Sequence, residues 1–144
     1  MMPEPNICVP STETELVDIV ASFLAQDGYR VWLEVPNMGQ SVDMVAQKNR
    51  WLTVIEAKLK DWRRALGQCQ AHEMVADFVC VAYCSFAIPD SLYKEITRRG
   101  YGLIHFSKEY KTLQWLVHPR QNPNVWRPQR QRFISLMGSI DNAR

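Results

Sequence analysis

Two carboxylates and a lysine stand where the surrounding sequence is almost wholly apolar. Asp43 lies in Ser-Val-Asp-Met-Val-Ala, and Glu56 and Lys58 close the segment Trp-Leu-Thr-Val-Ile-Glu-Ala-Lys. Both segments read as β-strands joined by a short polar turn, and charged side chains are rarely buried in such strands unless they are paired or hold a metal. Side chains two apart on a strand share a face, so Glu56 and Lys58 point the same way with the Ala57 carbonyl between them. A register that sets Asp43 opposite Glu56 brings two carboxylates within reach of one ion. Hard oxygen ligands suit Mg²⁺ or Mn²⁺ and not zinc. Such an ion serves phosphodiester hydrolysis by offsetting charge on the phosphoryl centre and acidifying water. Lys58 can orient that water or stabilise the developing negative charge. The competing reading is a strand-end salt bridge, Glu56 with Lys58 or Arg63, beside an exposed Asp43.

Two flanking helices offer further groups. At 100° per residue, Glu13 falls near the middle of the first helix's apolar stripe and Glu15 on its far side. Glu13 is therefore directed at the sheet, where a carboxylate needs a metal or a lysine. Any first-turn carboxylate is also favoured by the helix dipole and can simply stay wet. On the second helix, Gln68 and His72 lie one turn apart beside the Trp62/Leu66/Cys69 stripe. Gln68 could hydrogen-bond the attacking water, Lys58 or a phosphate, or be a plain surface glutamine. His72, His105 and His118 show no ligand spacing and no paired nucleophile, which leaves them as core-edge or surface histidines without a further role.

The elements that must position these groups follow from local signals. Residues 1–10 are proline-rich and read as an extended lead. Thr12 and Glu15 form a capping box opening a helix to about Asp27, stopped by Gly28. Strands are expected from Tyr29 to Val35 (ended by Pro36), Val42 to Gln47 and Trp51 to Leu59, the third apolar on both faces as a central strand is. Asp61 caps a second helix expected to run to about Ala76. A strand from Phe78, a helix from Pro89 to Arg99, a strand from Tyr101 and a further one from Leu113 follow. A last amphipathic helix carries Phe133, Leu136, Met137 and Ile140. A meander followed by helix and strand crossovers predicts an α/β fold with a mixed central sheet flanked by helices.

Composition bounds the rest. At 144 residues the chain is most simply one domain. The longest apolar run, Phe78 to Ile88, is too short for a membrane span, and the opening residues lack a signal-peptide pattern. No membrane association and a cytoplasmic location are the default expectations. The net charge of +2 does not announce nucleic acid. Lys60, Arg63 and Arg64 cluster beside the carboxylate strand, and Arg127, Arg130 and Arg132 near the C-terminus. A solvated face explains either cluster as well as a phosphate-binding surface does. Four cysteines fit no disulfide framework or CxxC knuckle and read as buried free thiols.

Val42-Asp43-Met44-Val45-Ala46 followed by Ile55-Glu56-Ala57-Lys58 resembles the aspartate strand and Glu-x-Lys strand of the PD-(D/E)XK nuclease superfamily. The likeness is to archaeal-type Holliday junction resolvases and related small nucleases. Glu13-Thr-Glu-Leu-Val, ending in Gly28-Tyr29-Arg30-Val31, is similar to the opening helix and first strand of that family. Gln68 matches its helix glutamine, within a Gln-x-x-x-Tyr arrangement that here ends in His72. The resemblance covers roughly residues 11–106, and Val42 replaces the family's proline. It implies a restriction-endonuclease-like αβββαβ core within a nuclease-like domain over residues 11–119, while residues 120–144, read as a basic linker and C-terminal amphipathic helix, have no counterpart in it. It also implies a Mg²⁺-dependent (or Mn²⁺-dependent) endonuclease acting on double-stranded or branched DNA. Asp43, Glu56, the Ala57 carbonyl and Glu13 would be its metal ligands, Lys58 its catalytic lysine and Gln68 an accessory group. Family members often act as dimers, so a homodimer joined through the last helix is an expectation, as is packing of that helix on its own domain. The alternative is a catalytically inactive nuclease-fold module that binds nucleic acid or protein.

Overall fold

The computed structural model describes residues 8–140, so part of the expected N-terminal lead and the last residues of the C-terminal segment lie outside the described residues. The order is α1 (Glu13–Gln26), β1 (Arg30–Asn37), β2 (Gln40–Lys48), β3 (Trp51–Lys58), α2 (Trp62–Ala71), β4 (Phe78–Ser85), α3 (Asp90–Arg99), β5 (Gly102–Ser107), β6 (Thr112–Val117) and α4 (Arg127–Met137). The strands form one sheet in sequence order, β1 to β6. β3, β4 and β5 run parallel, joined by α2 and α3, and β1, β2 and β6 are antiparallel to their neighbours. The expected mixed sheet flanked by helices is what forms.

Each face of the sheet has its own core. α1 covers one face, burying Leu16, Val20 and Leu24 against Met44, Ile55 and Ala57. α2, α3 and α4 cover the other, where Trp62, Leu66, Leu92, Ile96 and Phe133 meet Val54, Val81 and Leu103. β3 therefore has no solvent face, which is why its sequence is apolar at successive positions.

Local chemistry sets the boundaries. Thr12 caps α1 by accepting the Glu15 N–H at 3.1 Å, and the Glu15 carboxylate reaches back to the Ser11 N–H at 3.0 Å. Two expected ends move. β1 does not stop at Pro36 but continues to Asn37, because β1 is an edge strand where a missing N–H costs no ladder bond. Its turn into β2 has Met38 and Gly39 both at positive φ, the two-residue geometry that matches strand twist. α2 stops at Ala71 and not near Ala76, with His72 as its C-cap drawn into the sheet by side-chain bonds described below. α4 packs on its own domain, with Phe133 and Met137 buried there and the Ile140 carbonyl accepting from the Trp32 indole at 3.3 Å.

The end of the sheet where β3 and β4 begin is held by Asp77. Its carboxylate accepts the Leu52 N–H at 2.8 Å and the Arg130 guanidinium at 2.9 Å, while its own N–H donates to the Leu52 carbonyl. Removing the acceptor leaves a buried amide and a largely buried cation without it. Asp77→Ala should therefore lose about 3 kcal/mol of unfolding free energy in urea titration, with Asp77→Asn losing visibly less because it keeps an acceptor for Leu52. Equal midpoints for wild type and Asp77→Ala would deny the clamp its role.

Candidate active site at the β2–β3 hairpin end

The β2–β3 ladder closes with Met44 opposite Ile55, and the next positions in that register are Asp43 and Glu56. There the two backbones part. Asp43 Oδ2 accepts the Ala57 N–H at 2.9 Å in place of a ladder bond. The N–H and C=O of one residue in an extended strand point to the same side, so the Ala57 carbonyl faces the same gap. The sequence left open whether the register sets the two carboxylates opposite each other, and it does so at the point where the sheet splits.

Asp43 and Glu56 come within hydrogen-bonding reach of one another. Burial first, and then the neighbouring Glu56, push the Asp43 carboxyl up to about 7, against the pull of the Ala57 N–H and Lys58. Burial also raises Glu56, partly offset by its bond with Asp43 and by Lys58. Two carboxylates in so dry a place cannot both ionise cheaply, so near neutral pH they favour sharing a proton or a cation between them.

The structure supplies a partner for Glu56 that sequence reasoning missed. His72, expected at the core edge or surface, is fully buried, as is Glu56. Its Nε2 lies 3.0 Å from Glu56 Oε1 and its Nδ1 2.9 Å from Asn37 Nδ2. Since the amide nitrogen can only donate, Nδ1 holds the lone pair and Nε2 carries the proton given to Glu56. Burial lowers the His72 pKa, in keeping with a neutral ring. The available signal was its one-turn offset from Gln68 beside the apolar stripe, but nothing in the sequence connected it to β3 or to the Asn37 turn.

Glu13 projects toward the sheet as its helical phase predicted, with Oε1 3.5 Å from Lys58 Nζ. Lys58 is nearly buried and Glu13 about half exposed. Gln68 is on α2, which covers the sheet face opposite to α1, and its Oε1 is buried without a hydrogen-bond partner, like Glu56 Oε2 and Asn37 Oδ1. Among the described residues, no group of three or more His, Cys, Asp or Glu side chains is arranged to hold a metal ion. The donors that do converge are the Asp43 and Glu56 carboxylates and the Ala57 carbonyl. With Glu56 Oε2 unpartnered and two acids facing each other, this set fits an oxygen-preferring cation that keeps several waters.

The basic residues divide between the two ends of the sheet. Lys60, Arg63 and Arg64 follow β3 directly and are exposed, with Arg63 stacked 4.2 Å over the Trp62 ring. Arg130 is instead bonded to Asp77 and the Arg50 carbonyl at the start of β3. Seven residues of strand, roughly 23 Å, separate that end from Lys58. Arg127 and Arg132 share α4 with it. Two clefts, of about 320 Å³ beside Arg98, Arg99 and Arg120 and about 510 Å³ beside Arg50, Arg127 and Arg130, open at the end where β3 begins. Cys69, Cys80 and Cys84 are buried free thiols as expected, but Cys8 is exposed. Among the described residues no helix is long and apolar enough to cross a membrane.

The six-stranded mixed sheet with its flanking helices is consistent with a restriction-endonuclease-like fold. No protein-family profile and no curated protein matches the chain. Solved structures do. A protein of unknown function from Silicibacter pomeroyi is similar at a TM-score of 0.60 and 19% identity, over 83% of this chain and 79% of its own. An XisH family protein from Nostoc punctiforme is similar at 0.52 and 15%, over 74% and 98%. An fdxN element excision controlling factor protein from Anabaena variabilis is similar at 0.50 and 18%, over 72% and 97%. At these identities the likeness is one of fold.

The paired acids give a measurable signature. Asp43 keeps, in the folded chain, a proton that the unfolded chain has already lost between the ordinary carboxylate range and about pH 7. Stability from that protonated form is therefore lost as pH rises through this window. His72 and His105, lowered by burial, act with the opposite sign as pH falls below the imidazole range, and Glu56 and His72 both sense Asp43, so a difference between variants reports Asp43 together with these neighbours. In metal-free calorimetry, Asp43→Asn should melt above wild type at about pH 8, with a clearly smaller gap at about pH 5. A gap independent of pH would remove Asp43 as its source.

Proposed function

We propose that this chain is a divalent-metal-dependent deoxyribonuclease that hydrolyses phosphodiester bonds at the end of the β2–β3 hairpin. The observation that carries this reading is the convergence of Asp43, Glu56 and the Ala57 carbonyl where two strands part, with Lys58 on the same strand end. Asp43, Glu56 and the Ala57 carbonyl would hold Mg²⁺ or Mn²⁺, which when bound supplies Lewis-acid stabilisation of a phosphoryl group and a more acidic water. The chain's own groups do the rest. Lys58 presents a cation to the charge that develops on the phosphate. Glu13 orients the Lys58 ammonium from α1, which makes it a positioning residue here before any role as a ligand. His72, backed by Asn37, fixes Glu56 Oε1 and leaves Oε2 without a protein partner, so Oε2 would be the atom available to the ion. Gln68 brings an unpartnered acceptor suited to a water proton. DNA as the polymer is supported by the fold and by the name of one similar protein, an element excision controlling factor.

One observation favours a second reading, a nuclease-fold module that binds without cutting. Glu56 is wholly buried and already bonded to His72, so ion binding needs the hairpin end to loosen. Cleavage assays on linear, nicked, flapped and four-way-junction DNA separate the two. Nicking or cutting with Mg²⁺ or Mn²⁺ should vanish in EDTA and drop by about 100-fold or more in Asp43→Ala and Lys58→Ala. Cleavage that survives both substitutions, or DNA binding with no cleavage by wild type in either metal, would sink the catalytic reading.

A further inference from the structure

The three most exposed large apolar side chains among the described residues are Tyr110 (73%), Phe86 (70%) and Met38 (56%). They come from three loops far apart in sequence, yet the strand register places all three at one end of the sheet. Met38 is in the β1–β2 turn, whose β2 side leads to Asp43. Phe86 follows Ser85 at the end of β4, three residues beyond the Tyr83 that pairs with Lys58. Tyr110 lies in the β5–β6 turn, just after the Ser107 that pairs with Ser85. The Phe86 and Tyr110 loops are joined by the Lys108 N–H donating to the Ser85 carbonyl at 3.0 Å, and the Tyr110 turn is closed by its own N–H donating to Ser107 Oγ at 3.1 Å. The Lys108 ammonium lies 5.7 Å from the Phe86 ring centre. From strand spacing and rise, Phe86 is roughly 11 Å from Lys58, and the rim from Met38 to Tyr110 spans four strand spacings, roughly 19 Å.

A scattered exposed apolar residue needs no explanation, but three that collect around one candidate site do. The basic side chains of Lys60, Lys108 and Lys111 are interleaved with them, with Glu109 as the acid of the β5–β6 turn. Exposed aromatic rings among lysines are the combination that binds single-stranded nucleic acid: the rings stack on bases and the cations meet phosphates. Paired bases inside a duplex offer no face to such rings.

We propose that this rim binds unpaired nucleotides, with Phe86 and Tyr110 as stacking platforms, so that the DNA presented to the hairpin is single-stranded or branched and not continuous duplex. The inference rests on the nuclease reading for what happens to that DNA, but binding can be tested apart from cleavage. The experiment is fluorescence anisotropy of full-length Asp43→Asn protein in EDTA with a labelled 15-nucleotide strand, a flapped duplex and a blunt duplex of the same sequence. The single strand and the flap should bind at least about 10-fold more tightly than the blunt duplex. Phe86→Ala and Tyr110→Ala should each weaken single-strand binding by about 5- to 100-fold, the loss of one stacked base. Both variants should leave blunt-duplex binding within about twofold, and Phe86→Trp should restore what Phe86→Ala loses. Trp126→Ala, an exposed aromatic away from the rim, should change nothing. Equal affinity for all three DNAs, or a Trp126→Ala loss as large as the rim variants', would overturn the proposal. Metal-dependent cleavage of duplex unaffected by the rim variants would leave the nuclease reading standing and remove this inference alone.

Discussion

Glu56 is a carboxylate with no exposure at all, set in a strand that has protein on both sides. An isolated charge so placed is untenable, so the fold must bring it a partner, and much of the architecture can be understood as doing so. α2 ends where its last residue can turn His72 inward, and the tight β1–β2 turn places Asn37 where it can hold the far side of the imidazole. Three elements thus converge on one acid. The arrangement is directional, since an acceptor at Nδ1 commits the ring to donating at Nε2.

The second constraint is that Asp43 cannot continue the ladder. Where β2 leaves β3, a peptide N–H is exposed at the gap, and the Asp43 carboxylate is the group that accepts it. Splitting a sheet normally strands backbone donors, and here the stranded donor fixes an acid in place. That same placement sets Asp43 against Glu56 in a dry site, where burial drives both carboxyls toward their protonated forms, and the contact adds to the rise at Asp43 while offsetting it at Glu56. The hairpin end therefore carries an electrostatic conflict by construction, relieved by a shared proton, by the nearby Lys58, or by a cation.

The sequence made much of this legible because the signals were local. The capping box of α1, the two-face apolarity of β3, the cap at Asp61 and the strand order all rest on residues near one another in the chain. The phase of Glu13 on α1 was readable for the same reason, and it correctly turned that acid toward Lys58. What escaped were contacts between distant segments. The bonds of His72 to Glu56 and Asn37, and of Asp77 to Leu52 and Arg130, join residues 16 to 53 apart. No periodicity marks a side chain that is drawn inward by a partner on another element. The extension of β1 through Pro36 was equally hidden, because a proline's tolerance depends on whether its strand lies at the edge.

The two ends of the sheet are built to different standards, and the difference bears on where chemistry can occur. At the end where β3, β4 and β5 begin, Asp77 locks Arg130 and Leu52 together, and a Cβ on Gly102 would come within 2.7 Å of Cys80 Sγ and 2.8 Å of Pro119 Cδ. The backbone there is closely packed at Gly102 and cross-linked through α4, with the two clefts confined to its surface. At the opposite end the ladder between β2 and β3 is open, the acids lack full satisfaction and apolar side chains stand in water. Open α/β sheets take ligands at the carboxyl ends of their parallel strands, where loops are free to vary without disturbing the packed layers beneath. A rigid far end lets the hairpin end carry strain and unmet hydrogen bonds without unravelling the fold, since the stability is concentrated elsewhere. The unsatisfied Glu56 oxygen is thus tolerable because β3 is pinned at its other end.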